Sequence, residues 1–580
     1  MCGILGVRRS WLDDPQRIQA ACEAMTWRGP NRHDRIVAGD WHLAVARLTI
    51  SDSRAPQPIW TADRRRVILF NGVVTSANTE RTEIGTRCVT GNDAELPLHR
   101  LARGGPEGLL QTSGHYAMAI LEPATDQLWL ARDPEGEKPL YVVRRGRRVV
   151  AFASTIASLR HLGLSITADD GERARFLRFG FAPGQTVADG ELTLDQDLRG
   201  VVLHRGDAVP REWSPRPSAA PGSLFDRVRR ATDRCAQAEV PVGLCLSGGV
   251  DSSCLAAALH LSNRQLPAYQ FRADRACSKE RDNARRVADH TGMELRLVDG
   301  GPQILEWLPE LTRMVGQPLG DPSVLAVHAV ARTAAADGIR VLLSGEGADE
   351  LFMGYRRHRV ARHLTNPLPL GPLGMDRALG MSTVARLCRA AASRQPYESL
   401  LEVTSPAFRR AVFAPELVES NLPVVPSPTP LHRARDLDRH WYLRRDLLPK
   451  LDTALMAAGV EGRCPYLDPE VVHGPESSAE DPRTLLGKSH LRAAFREHLP
   501  ERVLRMGKRG FGLPLDRWLR EHDMIPDLLR DPRTVQRSHL RGTGLTRLLD
   551  LHLSGRYDLG HPLFLVASLE YHLRDVEAAA

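Results

Sequence analysis

The sequence predicts two domains of different class: an antiparallel α+β domain, then an α/β domain built on a parallel sheet. In residues 1–205, apolar and polar residues alternate over short segments, as they do in antiparallel strands. In residues 224–580, strand-like apolar runs are followed by helical patterns, which is typical of a parallel sheet between helices. The length of 580 residues also exceeds what one hydrophobic core usually supports.

Alternation in the first domain identifies its candidate strands. The alternating segments are residues 2–7, 42–50, 67–71, 116–121, 127–131 and 149–153. Residues 206–223 are rich in Pro, Ser and Gly and lack hydrophobic periodicity. Such a segment is typical of a linker, so we predict the domain boundary there.

The second domain begins with two strand-then-helix patterns. Residues 240–246 precede a helical pattern over 252–260, and residues 341–343 precede another over 349–355. From about residue 367 the sequence is rich in Arg, Leu and Ala and in helical periodicity. We therefore expect a helical elaboration packed on the parallel sheet.

Composition argues against several classes of protein. The net charge of +8 comes from dispersed arginine, so a nucleic-acid partner is not expected. No apolar run of about 18 residues occurs, and the first residues lack a signal-peptide pattern, which predicts a cytoplasmic protein without membrane contact. Nine cysteines lie far apart without a CxxC pair or Cys/His cluster at ligand spacing, so neither disulfides nor a zinc site are expected.

Cys2 is a candidate nucleophile because of its position. After removal of Met1, the thiol would lie beside its own α-amino group, whose reference pKa is about 7.7–8.0. That amine can accept the thiol proton, so no histidine is needed. The alternative is a buried, inert thiol, which is the commoner state of cysteine.

Several short motifs accompany Cys2 in one order along the chain. They are Met1–Ile4, WRGP at 27–30, ARLTI at 46–50, QP at 57–58, NG at 71–72 and TGND at 90–93. Together they resemble the N-terminal-nucleophile glutaminase domain of glutamine-dependent asparagine synthetases, an αββα sandwich. The resemblance implies that Arg47 and Asp93 hold the carboxylate and amino group of glutamine. It also implies that Asn71 and Gly72 contact glutamine and form the oxyanion hole.

Each of these residues also has a plainer interpretation. Arg47 could be a surface arginine, Asp93 a helix N-cap, and Asn71–Gly72 a hairpin turn. The sequence also departs from the family at Val73, where an acidic residue usually follows Asn-Gly, and at Asn31, where RGPD is usual. The nitrogen donor could therefore be glutamine, a γ-substituted glutamine or free ammonia.

Residues 247–253, SGGVDSS, follow a candidate strand and precede an apolar helix. Backbone N–H groups of such a loop can surround phosphate oxygens, helped by the positive helix N-terminus. The loop is not GxxxxGK[ST], and it resembles the pyrophosphate loop of ATP pyrophosphatases. The alternative is a Gly-rich turn capped by Ser252. The resemblance implies ATP contacts at Leu246, Ser247, Gly248, Gly249, Asp251, Ser252 and Phe271.

A second loop, SGEGADELFMGY at 344–355, resembles the corresponding loop of asparagine synthetases. It implies ATP contacts at Ser344 and Gly345. Asp251 and Asp349 would bind Mg²⁺, which prefers a few carboxylates plus substrate phosphates; N-capping is their alternative. Glu346 would assist proton removal as the amine attacks, and its alternative is pairing with a local arginine.

The resemblance extends to the end of the chain. Further matches lie at 316–318, 321–323, 446–452, 459–468 and 488–492, and residues 504–511 resemble a late Lys–x–x–Phe segment. Lys508 is the implied phosphate contact that stabilises charge as pyrophosphate leaves. Its alternative is a solvated lysine.

The resemblance implies a glutamine-hydrolysing, ATP- and Mg²⁺-dependent amidotransferase that adenylates a small carboxylic acid and releases AMP and pyrophosphate. Ammonia would pass between the domains through a tunnel. The acceptor could be aspartate or, as the unusual residues suggest, another acid in a tailoring pathway. Two alternatives stay open: an intramolecular cyclase like β-lactam synthetases or lasso-peptide cyclases, and an inactive nucleotide-binding regulator. A homodimer is compatible with the relatives.

Overall fold

The structure is a computed structural model of the chain. It describes residues 2–579 except 53, 78–81, 83–87, 89, 182–183, 189, 199, 206–210, 214–220, 274–277, 364–382, 394, 414–421, 423–426, 478 and 507–511. Within the described part, every cysteine is a free thiol. The predicted site residue Lys508 lies outside the described residues.

Two antiparallel six-stranded sheets form the first domain and confirm its predicted class. The first sheet has the order β12-β8-β9-β1-β3-β2 and the second the order β14-β13-β7-β6-β5-β4. Their strands are β1 Cys2–Arg8, β2 Arg32–Ala38, β3 Trp41–Arg47, β4 Ile59–Trp60, β5 Val67–Val74, β6 Gly114–Glu122, β7 Gln127–Arg132, β8 Tyr141–Arg145, β9 Arg148–Ala153, β12 Leu192–Asp195, β13 Gly200–Arg205 and β14 Arg211–Trp213. A separate small pair consists of β10 Ile166–Thr167 and β11 Thr186–Val187.

Helices cover the outer faces of this sandwich. They are α1 Pro15–Glu23, α2 Leu96–Leu109 and α3 Ile156–Arg160, whereas the next helix, α4 Asp170–Phe179, buries its apolar side chains in the cores of the second domain. Alternate side chains of the two sheets, such as Trp41 and Leu69, share one buried core that also contains Cys2. The other face of the first sheet packs with α1 and α3, and that of the second sheet packs with α2. The αββα layering that the sequence predicts is therefore present.

The predicted linker region contributes to the first domain. Strand β14 lies within residues 206–223 and pairs antiparallel with β13, so that Val201 faces Trp213. The remaining described residues of that segment, 221–223, lead into the next helix, where Ser223 and Asp226 form a reciprocal capping box. The domain bounds at 205 and 224 stay a prediction.

A five-stranded, all-parallel sheet forms the second domain, with the order β17-β16-β15-β18-β19. Its strands are β15 Val242–Cys245, β16 Ala268–Ala273, β17 Leu295–Gly300, β18 Val341–Leu343 and β19 Glu461–Arg463. Consecutive residues of β18 enter different cores, because Val341 and Leu343 lie in one cluster and Leu342 in the other. Both faces of the sheet are therefore buried, as the sequence predicts.

Many helices surround this sheet and extend to the end of the chain. They are α5 Leu224–Cys235, α6 Val250–Leu261, α7 Ser278–Thr291, α8 Leu308–Val315, α9 Ser323–Ala336, α10 Ala348–Leu351, α11 Arg356–Ala361, α12 Thr383–Ala392, α13 Pro396–Leu401, α14 Pro406–Val412, α15 Pro430–Leu437, α16 Leu448–Met456, α17 Pro469–Val472, α18 Ser489–Ala494, α19 Glu501–Leu504, α20 Leu515–Glu521, α21 Met524–Arg530, α22 Pro532–Ser538, α23 Gly542–Leu553 and α24 Gly560–Ala579. A π-helical stretch, Asp438–Leu447, joins α15 to α16.

Candidate active sites in the two domains

Cys2 lies at the start of β1, a central strand of the first sheet, directly opposite Arg47 of β3. Its backbone N–H donates to the side-chain oxygen of Asn71 at 3.0 Å, which joins the two sheets at this point. Burial raises the pKa of the Cys2 thiol, and the positive charge of Arg47 partly opposes that rise. The structure therefore brings together three of the residues that the sequence selects.

Asn71 and Gly72 lie inside β5 and not in a hairpin turn, because Asn71 pairs with Ala117 and Gly72 with Tyr116 of β6. Asn71 is fully buried, and its side-chain nitrogen has no hydrogen-bond partner in the described part of the chain. Gly72 has φ of 142°, and a β-carbon there would lie 2.0 Å from the carbonyl oxygen of His115. A donor side chain beside a position that admits only glycine suits an oxyanion hole.

Arg47 and Asp93 are both held by the segment that follows β3. The Arg47 guanidinium donates to the carbonyl oxygens of Ser51 at 2.8 Å and Asp52 at 2.6 Å, and it also contacts that of Ala55. Asp93 accepts from the Val74 amide at 2.7 Å and the Ser51 hydroxyl at 3.0 Å. Arg47 is therefore not a surface arginine. Asp93 does not cap a helix, since Asn92 is the N-cap residue here.

The edge strand β19 of the second domain brings two buried charged residues towards this site. Arg463 donates to Glu461 at 2.5 Å and to the backbone oxygens of Cys235 and Gln237 at 2.9 and 2.7 Å. Burial raises the pKa of Asp93; the Glu461 carboxylate raises it further and the Arg463 guanidinium lowers it. Both side chains therefore lie within electrostatic range of the predicted glutamine ligand. The sequence identifies 459–468 as a matching segment but assigns these two residues no role.

Lys138 of the first domain forms a hydrogen bond with the free edge of β19. Its ammonium group donates to the Gly462 carbonyl at 2.8 Å and to Glu137 at 2.8 Å. Glu137 also pairs with His115 at 2.7 Å, and His115 contacts the Cys235 sulfur. An edge strand that would otherwise leave backbone groups unpaired is thus closed by the other domain.

A second buried contact between the domains involves Arg28, which also contacts Cys2. Arg28 binds Asp452 of α16 through two hydrogen bonds, at 2.7 and 3.1 Å, and donates to the Cys2 carbonyl at 3.4 Å. Both partners are buried, with side-chain exposures of 1% and 6%. They line a cavity between the domains together with Glu137 and Thr453. Arg28 and Asp452 appear in matching motifs, but sequence alone does not pair them.

The SGGVDSS loop follows β15 and leads into α6. Gly248 has φ of 79°, a conformation that favours glycine. The Ser247 and Ser252 hydroxyls lie 3.1 Å apart, and the N-cap of α6 is Gly249, with no side-chain cap. The amides of the first helical turn are therefore not taken by Ser252, which removes that alternative. Leu246 directly follows β15 and donates its amide to the Tyr269 carbonyl of the neighbouring strand β16 at 2.9 Å, and Phe271 lies within β16.

The second loop packs directly against the first. A β-carbon at Gly345 would lie 3.0 Å from that of Asp251, so the two turns are in contact there. Ser344 follows β18, and its amide donates to the Arg463 carbonyl at 2.9 Å. Residues that the sequence assigns to one nucleotide site therefore lie at one edge of the parallel sheet, as open α/β folds place ligands.

The carboxylates of Asp251 and Asp349 both pair with the ammonium group of Lys488. Lys488 donates to the Asp251 carboxylate and lies 2.7 Å from that of Asp349. Two carboxylates from separate loops that face one position fit Mg²⁺. Asp349 lies inside the short helix α10, whose N-cap is Gly347, so it is not an N-cap residue. Lys488 belongs to the matching segment 488–492, but its contact with both carboxylates is visible only in the fold.

Glu346 pairs with a lysine and not with an arginine. Lys450 lies 3.1 Å from Glu346 and 3.1 Å from Asp321. Asp446, in the π-helical stretch, lies nearby: burial raises its pKa well above the usual range, and the Asp321 charge adds to the rise. The result is a cluster of three carboxyl groups and one ammonium group that includes Glu346 of the second loop.

Glu350 is a further unusual acid in the second loop. Burial raises the pKa of Glu350 to about 8, and the charges of Asp349 and Glu346 contribute. Its carboxyl group contacts the Tyr355 hydroxyl. A carboxyl group with a raised pKa beside Asp349 and Glu346 limits the negative charge of this loop.

Comparison with known proteins finds a matching family model for each half of the chain. A family model described as asparagine synthase matches residues 223–574, and one described as a glutamine amidotransferase domain matches residues 1–190. A Mycobacterium tuberculosis protein named putative asparagine synthetase [glutamine-hydrolyzing] is 28% identical over 605 residues, which cover 94% of this chain and 91% of the relative. Bacillus subtilis asparagine synthetase [glutamine-hydrolyzing] 1 is 26% identical over 98% of this chain and 95% of its own length.

Among solved structures, an allosteric regulatory enzyme of purine biosynthesis matches 62% of this chain and 77% of its own, with 12% identity and a TM-score of 0.28. No helix in the described part of the chain is both long and apolar enough to cross a membrane.

Proposed function

Since the chain belongs to the asparagine synthase family, we propose that it hydrolyses glutamine at Cys2, adenylates a carboxylic acid with ATP, and joins the two products as an amide. The observation that carries this proposal is the strand pair β18–β19. Strand β18 leads into the loop of Glu346, while β19 carries Glu461 and Arg463 beside the Cys2 site. The strand pair β18–β19 therefore lies next to both proposed reaction centres.

In the first half-reaction, the Cys2 thiol attacks the amide carbon of glutamine and its proton passes to the α-amino group exposed by loss of Met1. The oxyanion then accepts hydrogen bonds from the Asn71 side-chain nitrogen and the Gly72 N–H. The carbon–nitrogen bond breaks, the leaving nitrogen takes up the proton, and ammonia departs. Water hydrolyses the remaining thioester to glutamate.

In the second half-reaction, an oxygen of the acceptor carboxylate attacks the α-phosphorus of ATP and pyrophosphate leaves. Asp251 and Asp349 would hold Mg²⁺, which neutralises phosphate charge when bound. Lys508 and Lys488 supply further positive charge for the leaving group. Ammonia then attacks the acyl carbon, AMP departs, and Glu346 accepts the proton that the nitrogen loses.

Glutamine is the simplest nitrogen donor, although Val73 stands where the family has an acid. Asp93 remains as a carboxylate for the donor's amino group, held by Val74 and Ser51. A γ-substituted glutamine would need room beyond the amide nitrogen, which a competition assay between the two donors can detect. We expect unsubstituted glutamine to support turnover.

The acceptor site favours an acid that carries a positive group. Glu346, Asp321 and Asp446 outnumber Lys450, so even with Asp446 protonated the cluster has no excess positive charge. An amino acid such as aspartate fits this balance, and so does another amino-substituted acid of a tailoring pathway. A dicarboxylate without an amine fits it poorly.

The cyclase alternative requires an amine and a carboxylate within one substrate. Retention of Cys2, and of an Asn71 nitrogen that has no partner among the described residues, favours an external nitrogen source instead. The regulatory alternative requires that the chain no longer reacts with ATP. The close approach of Asp251, Asp349 and Lys488 beside the two loops argues against such a loss.

The proposal is tested by incubating the full chain with ATP, Mg²⁺ and amide-¹⁵N glutamine, with aspartate and then with a panel of other carboxylic acids. We expect AMP, pyrophosphate and a ¹⁵N-amide to form in equal amounts with at least one acid. The Cys2→Ala variant should lose glutamine use and keep ammonia use. ATP consumption with every acid tested but no amide, or no ATP–pyrophosphate exchange at all, would refute the proposal.

A further inference from the structure

Three side chains of metal-binding types converge at the start of α2, away from the nucleotide loops. The ligand atoms of Cys88, Glu95 and His99 all lie within 4.8 Å of one another, and Glu95 Oε1 is 3.6 Å from His99 Nε2. Glu95 is buried, and the other two are half-buried. The wide spacing of the cysteines along the chain predicts no such cluster; the fold creates it.

The local structure explains why these groups meet. Glu95 closes the 3-10 turn Asp93–Glu95 and His99 lies in the first turns of α2, so the pair is separated by four residues on one helical face. The second carboxylate oxygen of Glu95 accepts from the amide and the hydroxyl of Thr90, each at 2.8 Å. These bonds orient the carboxylate so that its first oxygen faces His99 and Cys88, as partners of metal ligands commonly do.

We propose that Cys88, Glu95 and His99 bind a zinc ion. A thiolate, an imidazole and a carboxylate form a ligand set that suits Zn²⁺, whereas Mg²⁺ and Ca²⁺ prefer oxygen alone. The Glu95–His99 spacing of 3.6 Å matches a tetrahedral ion with bonds of about 2.0–2.3 Å, and the Cys88 sulfur, which lies within 4.8 Å of both atoms, would move closer on binding. On binding, Cys88 releases its proton to solvent and zinc–sulfur, zinc–nitrogen and zinc–oxygen bonds form, with water as the fourth ligand.

The position of the cluster gives the metal a structural consequence. Asp93, the proposed ligand for the amino group of glutamine, is two residues from Glu95, and the turn between them is fixed by Asn92, which caps the Ala94 amide at 2.9 Å. A zinc ion at Glu95 would hold Thr90 and this turn in place. Resting on the proposed function, we expect zinc removal to raise KM for glutamine several-fold and to leave ammonia-dependent synthesis unchanged.

The binding itself is tested without substrates. Metal-depleted full-length protein is titrated with Co²⁺ as a spectroscopic probe and then with Zn²⁺. We expect one cobalt ion per chain, visible d–d absorption of a four-coordinate ion, and a near-ultraviolet thiolate-to-cobalt band, all abolished by one equivalent of zinc. Cys88→Ser should remove the thiolate band, and His99→Ala should weaken binding at least tenfold.

Cys22→Ser is the matched control, because Cys22 is a half-buried thiol on another helix; it should bind cobalt like the unaltered chain. Circular dichroism checks that each variant is folded. A thiolate band that persists in folded Cys88→Ser, or binding no tighter than millimolar, would overturn the zinc site. If the site binds zinc but glutamine is not hydrolysed, only the proposed function fails; if glutamine is hydrolysed without metal binding, only the zinc site fails.

Discussion

The side chain of Asn71 is fully buried, yet its nitrogen has no hydrogen-bond partner in the described part of the chain. A buried donor without an acceptor lowers the stability of the folded state unless a bound ligand accepts its hydrogen bond. Its oxygen is already occupied by the Cys2 amide, which fixes the orientation of the group. The nitrogen is thus held ready for a substrate oxygen formed at Cys2.

Replacing Asn71 by Ala should lower kcat for glutamine hydrolysis by about 10²–10³-fold, because one oxyanion donor is lost. Glutamine affinity should change much less than kcat, and synthesis from ammonia should stay near the unaltered rate. Steady-state kinetics with each nitrogen source measure both. An equal loss with glutamine and ammonia would show that Asn71 supports the fold and not the oxyanion.

Glu461→Gln should move the acid limb of the pH profile for glutamine kcat/KM to lower pH. Asp93 must be ionised to bind the amino group of glutamine, and the negative charge of Glu461 raises the pKa of Asp93. Removing that charge lowers this pKa, so Asp93 stays ionised at lower pH. Glu461→Asp keeps the charge and should keep the profile. A shift towards higher pH, or the same shift in both variants, would contradict the account.

Among structural elements, β18 and β19 carry the connection between the sites. Glu461 pairs with Val341 and Arg463 with Leu343, so the strand whose charges act on Asp93 lies directly beside the strand that leads into the Glu346 loop. Lys138 fixes the outer edge of β19 at 2.8 Å from Gly462. A short, buried strand pair thus joins the positions of Glu461 and Arg463 to the Glu346 loop.

Glu346→Gln should separate the two steps of amide formation. Adenylation does not require a base at this position, so ATP–pyrophosphate exchange with the acceptor acid should continue. Attack by ammonia loses its proton acceptor, and amide formation should fall by about 10²–10⁴-fold. Parallel assays of exchange and of amide give the two rates. If exchange falls as far as amide formation, Glu346 serves the nucleotide and not the amine.

The sheet class of each domain and the two loops at 247–253 and 344–355 could be predicted from the sequence, because the pattern that indicates each of them lies within a short segment. Alternation marks β5 and β6, and SGGVDSS carries its own strand, turn and helix. The contacts of Lys488 with Asp251 and Asp349, the effect of Glu461 on Asp93 and the pairing of Arg28 with Asp452 could not be predicted. Each joins residues that lie more than one hundred positions apart in the chain. The zinc cluster likewise depends on how one turn folds, and a list of cysteine spacings does not contain that information.

The two domains meet through buried charged groups and not through a purely apolar surface. Arg28 bonds to Asp452, and Lys138 bonds to the Gly462 carbonyl, across the boundary between the domains. Breaking one such buried pair typically costs about 3–5 kcal/mol, which makes their geometry stiff. Stiff contacts of this kind suit a sealed passage, since a loose interface would let ammonia meet bulk water and become protonated.

The most direct test of this coupling is a competition between nitrogen sources. The enzyme is given amide-¹⁵N glutamine together with an excess of unlabelled ammonium at a pH where both are used, and the amide product is analysed by mass spectrometry. We expect ammonia released at Cys2 to stay inside the protein, so the product should carry mainly ¹⁵N and Asp452→Asn should lower that fraction. A product whose label equals that of the bulk ammonium pool in the unaltered enzyme would contradict the account.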